Sequence, residues 1–531
     1  METSEDIGKS GPAPALSSAG GGGTVVEGTL LPEYSGLSSL EGLQAGQPAV
    51  REKRTLVLFS KPARTILFVL LFAAVPLFIP PLERVLSIKG ESYREILPDV
   101  RQLVSFRANR TAPSIGIPGG SQTSDEAIAS SKPENTACAD LLIDDPANAL
   151  EHFYAALART DAKRPGAITR ITHYGDSPIT NDGITGTVRL LMQQRFGDAG
   201  HGFILIDRPW GWYGHQSITF SSGGGWSDDS LMNPMTRDGA FGLGGVTFHA
   251  GGPGKYARYG PATDGDTGKN FSRMDVYYLR QPGGGEFSVS VSGANTQTVS
   301  TAGDAPSSGF YEIQAPQSGA NTFEVKTVSG SVRLFGAVLE NDGPGVVYDS
   351  LGVNGAYAGL LVTVMNEQHW AEQLRHRKPD LVIFNYGTNE SQYASDNQMA
   401  RYERDLTEAI RRVRSALPDV SILVVSPMDR GKTVGGGRII THPAIPKIVE
   451  MQHGVALQVG CAFFNTFQAM GGDGTMARWH STQKHLVGGD LIHPTVDGGI
   501  TVGALIYHAL LDGYTKYQAR VEARSSLAQK K

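Results

Sequence analysis

The spacing of apolar and polar residues divides the chain into stretches of different character. The first sixty or so residues, typified by "GPAPALSSAGGGGTVVEG", hold little that can pack and predict a disordered tail over 1–60. An uncharged apolar run follows, "ILFVLLFAAVPLFIPPL" from Ile66 to Leu82, long enough to predict a transmembrane anchor over 64–86. Residues 87–164 read as a stalk with local helices, among them "NALEHFYAALAR", whose apolar positions recur at helical spacing. From Ala167 the rhythm becomes strand, corner and helix: "AITRITHYGDS" and then "GITGTVRLLMQQRF".

Between about His215 and Glu340 short alternating runs separated by glycines, such as "GGVTFHA", "MDVYYLR" and "GEFSVSVSG", predict a β-sandwich. Strand and helix then alternate again: the uninterrupted apolar strand "DLVIFNYG", the charged helix "QMARYERDLTEAIRRVRSAL" and the strand "VSILVVSP". An α/β pattern that stops and resumes predicts one α/β domain, 165–215 and 346–515, interrupted by a β-sandwich over 216–345. Residues 516–531 are predicted to form a C-terminal tail.

Charge and cysteine content narrow the function. With 47 basic and 52 acidic residues among 531, the net charge of −5 offers no broad basic surface for nucleic acid. Cys138 and Cys461 are the only cysteines, too few for a disulfide framework or a four-cysteine zinc site, though one bridge between them is open. Arg51, Lys53, Arg54, Lys61 and Arg64 precede the apolar run and orient it with the tail in the cytoplasm and the remainder outside.

The chemistry resides in loops that leave the α/β segments. "HYGDSPIT" places Ser177 at a strand-to-helix corner; "SLGVNGAYAG" carries Gly355, "NYGTNES" carries Asn389, and "GGDLIHPTVDGG" carries Asp490 and His493. Hydrolysis of an ester through a serine needs a base, a group that orients the base, and donors for the oxyanion, and these fragments contain all three. "DRGKT", Asp429 to Thr433, ends like a phosphate loop but lacks the required upstream glycine, so ATP binding is not expected. His480, His485 and His493 lack the spacing of a zinc hydrolase; no catalytic metal and no cofactor are expected.

These ordered fragments resemble the SGNH or GDSL hydrolase family. The resemblance implies a flavodoxin-like three-layer α/β sandwich with the site at the carboxyl ends of its strands. It implies Ser177 as nucleophile, His493 as base and Asp490 as its orienter, with Ser177 N–H, Gly355 N–H and the Asn389 amide as oxyanion hole and Asp176 in a structural role. Three positions depart from the family pattern: Pro178 follows the serine where leucine is usual, Glu390 follows Asn389 where aspartate is common, and Leu491 follows Asp490 where glycine is frequent.

More narrowly, the chain is similar to polysaccharide O-acetylesterases of the peptidoglycan type, in which a jelly-roll domain interrupts the hydrolase. That similarity implies a single-pass protein of the bacterial inner membrane whose catalytic domain lies in the periplasm and acts on an acetylated polysaccharide. An O-acetyltransferase using the same residues, or an inactive carbohydrate-binding scaffold, are the alternative expectations. Trp210, Trp212 and Tyr213 of "DRPWGWYGH" are candidates for stacking on sugar rings.

Overall fold

The computed structural model describes residues 142–292 and 296–529. The predicted tail, the anchor over 64–86, most of the stalk and Cys138 lie outside the described residues. Among the described residues no helix is long and apolar enough to cross a membrane.

Five parallel strands form the central sheet: β1 (Ile168–Gly175), β2 (Gly345–Gly352), β3 (Leu381–Asn385), β4 (Ser421–Val425) and β5 (Ala462–Phe464), in spatial order β2-β1-β3-β4-β5. This is the doubly wound order whose chain direction reverses beside β1, the place where such sheets open a crevice at their carboxyl ends. Period-two alternation builds the layers. Leu381, Ile383, Leu423 and Val425 face one way, where α1 (Glu151–Asp161), α2 (Gly183–Phe196) and the long α6 (Val496–Gln529) cover them. Val382, Phe384, Ile422 and Val424 face the other way, under α3 (Glu367–Arg377), α4 (Asp396–Ala416) and α5 (Ala444–Gln458).

The β-rich region sits between α2 and β2 in the chain as two antiparallel sheets. One comprises 307–319, 271–280, 331–340, 246–251 and 227–230 in that order, and the other 219–223, 256–260, 323–329, 286–291 and 297–300.

Three boundaries differ from those predicted. The strand Gly200–Leu205, expected within the hydrolase part, pairs antiparallel with Ser331–Glu340, so the β-domain begins before residue 216. Its alternate neighbour explains this: the Asp349 carboxylate of β2 accepts the Phe203 N–H at 2.9 Å, fixing the strand at the seam between both parts. The segment 142–164, expected in the stalk, belongs to the α/β core. Leu150, Phe153 and Leu157 are fully buried, and the Phe153 N–H donates to Ser421 Oγ on β4 at 3.1 Å. The predicted tail from 516 continues α6 to Gln529, and Arg520 pairs with Glu151 of α1 at 3.2 Å.

Candidate active site

Ser177 stands at the corner where β1 ends. A Cβ on Gly175 would lie 2.5 Å from Ile179 Cγ1, so the strand can turn this tightly only with glycine there. Pro178 then occupies the first turn of a short 3₁₀ segment, Ser177–Ile179, where its missing N–H costs nothing. The departure at Pro178 is thus compatible with the corner.

Ser177 Oγ lies 2.7 Å from His493 Nε2, and His493 Nδ1 lies 2.6 Å from Asp490 Oδ2. The second Asp490 oxygen accepts the N–H groups of Ile492 and His493, each at 3.0 Å, which closes the loop between them. Burial pushes the Asp490 carboxyl up, but the His493 hydrogen bond and those two N–H groups outweigh it and hold the carboxyl below its ordinary range. An ionised Asp490 draws the proton onto Nδ1, leaving the Nε2 lone pair to receive the serine proton. His493 and Asp490 are about half exposed, at 45% and 48%, so the site opens to solvent.

The departure at Leu491 has a structural counterpart. Leu491 adopts a left-handed backbone, φ 60°, which costs a non-glycine residue roughly 1 kcal/mol. Its side chain is buried against Gly431, where an added Cβ would come within 2.7 Å of Leu491 Cβ, and the Gly431 N–H donates to Leu491 O at 2.8 Å. Apolar burial offsets the backbone cost.

Gly355 and Asn389 come from loops that touch each other. Gly355 is left-handed at φ 75°, and Asn389 Nδ2 donates to Ala356 O at 2.8 Å, leaving its second N–H for another acceptor. The Val353 N–H donates to Gly175 O at 3.1 Å, tying the Gly355 loop to the serine corner. Glu390 does what its position in the motif left in doubt: it is buried and accepts the N–H groups of Ala358 at 3.1 Å and Gly387 at 3.0 Å, bridging both loops. Burial raises its pKa to about 7 despite those donors. Burial, together with the charge of Glu390, raises Asp176 to about 8; its Oδ2 has no hydrogen-bond partner, in keeping with a structural residue under the corner.

Sequence reasoning missed Arg430. Its Nη1 donates to Thr388 O at 3.1 Å and Ser391 Oγ at 2.7 Å, bracing the Asn389 loop; half-burial lowers its pKa, and the Asp490 charge opposes that shift. "DRGKT" was read only against a phosphate loop, and nothing in that stretch marks a brace to a loop so far along the chain. Met232, from the β-domain, was also missed; it lies 3.6 Å from where a Gly355 Cβ would stand, and no pattern in the sequence marks it.

The predicted aromatic trio separates. Tyr213 is a correction: it is buried, with its hydroxyl accepting the Leu205 N–H at 2.9 Å and contacting His215 Nε2 at 2.8 Å, so its ring is closed to a sugar. Trp210 is half-buried and meets Tyr213 edge-on, while Trp212 is 56% exposed. Cys461 is buried beside Arg414. Among the described residues the one group with metal-ligand chemistry is Asp182, His201 and His215. It fits a hydrogen-bond network better than an ion, since the Arg189 guanidinium already holds the Asp182 carboxylate and His201 Nε2 is 2.9 Å from His215 Nδ1.

Residues 318–499 match the profile of the GDSL-like lipase/acylhydrolase family, a span that contains Gly355, Asn389, Asp490 and His493. That match supports an SGNH-type hydrolase that acts as an esterase. The β-insertion explains why the match omits Ser177, which that insertion separates from the other motifs along the chain. Among solved structures, the fold is similar to that of a peptidoglycan O-acetylesterase, with 24% identity, covering 70% of this chain and 99% of that one at a TM-score of 0.58. A family two carbohydrate esterase from Cellvibrio japonicus matches at 13% identity over 57% of this chain and 99% of its own, with a TM-score of 0.24. No curated protein matches the sequence.

Proposed function

We propose that the protein is a membrane-anchored serine esterase that removes O-acetyl groups from a cell-envelope polysaccharide, with its hydrolase domain outside the bacterial inner membrane. The observation that carries this reading is the relay from Ser177 Oγ to His493 Nε2 at 2.7 Å and from His493 Nδ1 to Asp490 at 2.6 Å. The fold shared with a peptidoglycan O-acetylesterase supports the substrate class. The basic cluster before Ile66 and the apolar run after it support the anchor.

In this mechanism His493 Nε2 takes the serine proton as Oγ bonds to the acetyl carbonyl carbon. The carbonyl oxygen becomes an oxyanion facing the N–H groups of Ser177 and Gly355 and the free N–H of Asn389. Collapse breaks the bond to the sugar oxygen, which leaves with the proton from the imidazolium, and acetyl-Ser177 remains. Water, deprotonated by the same imidazole, attacks the acetyl carbon; the bond to Ser177 Oγ then breaks, Oγ takes the proton back from the imidazolium, and acetate leaves. A sugar hydroxyl in place of water would make the reaction a transfer, and the exposed relay would admit either acceptor.

The test is acetate release from acetylated peptidoglycan and other acetylated glycans, with and without acceptor glycan, alongside labelling of Ser177 by a fluorophosphonate. The esterase reading expects acetate in stoichiometric yield without acceptor, and labelling that is lost in Ser177→Ala. Acetate release that depends on an acceptor favours the transferase; a wild-type protein that neither labels nor turns over any acetyl ester leaves only a scaffold.

A further inference from the structure

A hairpin of Gly431–Val434 and Arg438–Thr441 stands on the Asp490–His493 loop. Its register pairs Gly431 with Thr441, Lys432 with Ile440 and Val434 with Arg438, and the His442 N–H extends it by donating to Arg430 O at 2.7 Å. Period-two alternation therefore puts Gly431, Thr433, Ile439 and Thr441 on one face, and Arg430, Lys432, Val434, Arg438, Ile440 and His442 on the other. The first face is seated: Gly431 abuts Leu491, and Thr441 Oγ1 accepts the Gly474 N–H at 2.7 Å. On the second face Lys432 and Arg438 are exposed, while Arg430 reaches back to the Asn389 loop. His442 reports how close these charges are: burial, then the charges of Arg430 and Lys432, lower its pKa.

Some exposed arginines elsewhere pair with carboxylates, as Arg195 does with Asp161, Arg411 with Glu408 and Arg520 with Glu151; what sets this face apart is its place on the loop that carries Asp490 and His493. Among the described residues Arg430, Lys432 and Arg438 have no carboxylate within ion-pair distance. The nearby acids are otherwise engaged or lie off the face: Asp490 holds His493, and Asp429 accepts the Met476 N–H at 2.7 Å. A run of unpaired cations beside the triad, in a chain of net charge −5, is repulsive until an anion docks.

We infer that this hairpin face is a subsite for carboxylate groups on the polysaccharide, so that the substrate is an anionic glycan acetylated close to its charged groups. The inference rests on the esterase reading above and narrows its substrate. Arg430 braces the oxyanion loop and is left intact in the test; Lys432 and Arg438 lie outside the reacting machinery.

The experiment compares the full chain with Lys432→Glu/Arg438→Glu on acetylated alginate, a polyuronate, on acetylated glucomannan, a neutral polymer, and on p-nitrophenyl acetate. The expected result is a KM for acetylated alginate that rises about tenfold in the variant and with added salt in the wild type, kcat and the other two substrates being unchanged. Direct titration of Ser177→Ala with both polymers, with and without the charge reversals, reads binding without turnover. Equal affinity for the two polymers, unmoved by charge reversal, overturns the subsite while leaving the esterase intact. A wild type that fails on every acetyl ester but still binds alginate through Lys432 and Arg438 sinks the esterase reading and keeps the subsite.

Discussion

Two clusters of charge lie along β1, and they are built on opposite plans. At the carboxyl end, Ser177, His493 and Asp490 form a single line of two hydrogen bonds, about half exposed at its acidic end. In the first half of the strand, Arg170 joins Arg273 and Arg377 around Glu340, at 2.8, 2.5 and 2.6 Å, while Asp349 takes Arg377, Thr172 and the Phe203 N–H. In that second cluster Glu340, Asp349 and Arg377 are buried and Arg170 and Arg273 partly so; it spans the seam between the α/β part and the β-domain and borders a cavity of about 360 Å³ lined by residues including Asp275 and His376. Each oxygen of Glu340 and Asp349 accepts two hydrogen bonds. Saturation fixes two bodies together, whereas a line with one unspent end can pass a proton.

That contrast can be broken experimentally, most severely at the line. Ser177→Ala is expected to lower kcat/KM by at least about four orders of magnitude with no change in thermal midpoint. A stability loss of comparable weight would mean the serine is part of the scaffold. Asp490→Asn retains the shape but removes the charge that sets the imidazole tautomer, and a fall in kcat of roughly 10²–10⁴ is expected with KM little changed. At the seam the signature inverts. Arg377→Met leaves Glu340 and Asp349 short of a buried partner and is expected to cost about 3–5 kcal/mol in urea unfolding, while the protein that remains folded keeps its kcat.

The smallest effect sharpens the comparison through pH. Burial pushes Glu340 up, but Arg377, Arg170 and Arg273 outweigh it and hold the carboxyl well below its ordinary range. Its folded pKa lies under the unfolded one, so its stabilisation is complete above about pH 4.3 and drains as the pH falls through the folded value. Asp176 and Glu390 behave oppositely. Raised to about 8 and about 7, they hold protons in the folded state that the unfolded chain releases near pH 4, so their contribution declines as the pH rises from there to about 8. Asp176→Asn, which mimics the protonated acid, is expected to flatten the loss of stability between pH 5 and pH 8. Urea midpoints at the two pH values check this, and an unchanged difference refutes it.

How much of this was legible in the chain depended on whether a residue's role is local. The β1 corner could be read from Gly175 to Pro178 because the turn is made by those residues themselves. Asp490 and His493 were legible because three positions of loop suffice to join them. The β-domain boundary was not, since Gly200–Leu205 reads equally well in either sheet and is decided by Ser331–Glu340 and Asp349, far along the chain. Likewise "NALEHFYAALAR" showed its apolar stripe but not the strand that stripe would cover. Tyr213 and Arg430 show the same limit in polar terms. An aromatic beside two tryptophans and a basic residue before a glycine carry no mark of a buried hydroxyl contact or of a brace across two loops.

The position of the insertion also sets a timetable. Strand β1 pairs Ile168 with Gly345 on one side and Ile171 with Leu381 on the other, so neither neighbour exists until the whole β-domain has been synthesised. Until then its two edges are open to wrong partners, and such distant pairing is slow to form. The nucleophile at its tip is therefore synthesised long before the strands that hold it in register, and a chain caught part-way carries the serine without the histidine that would arm it.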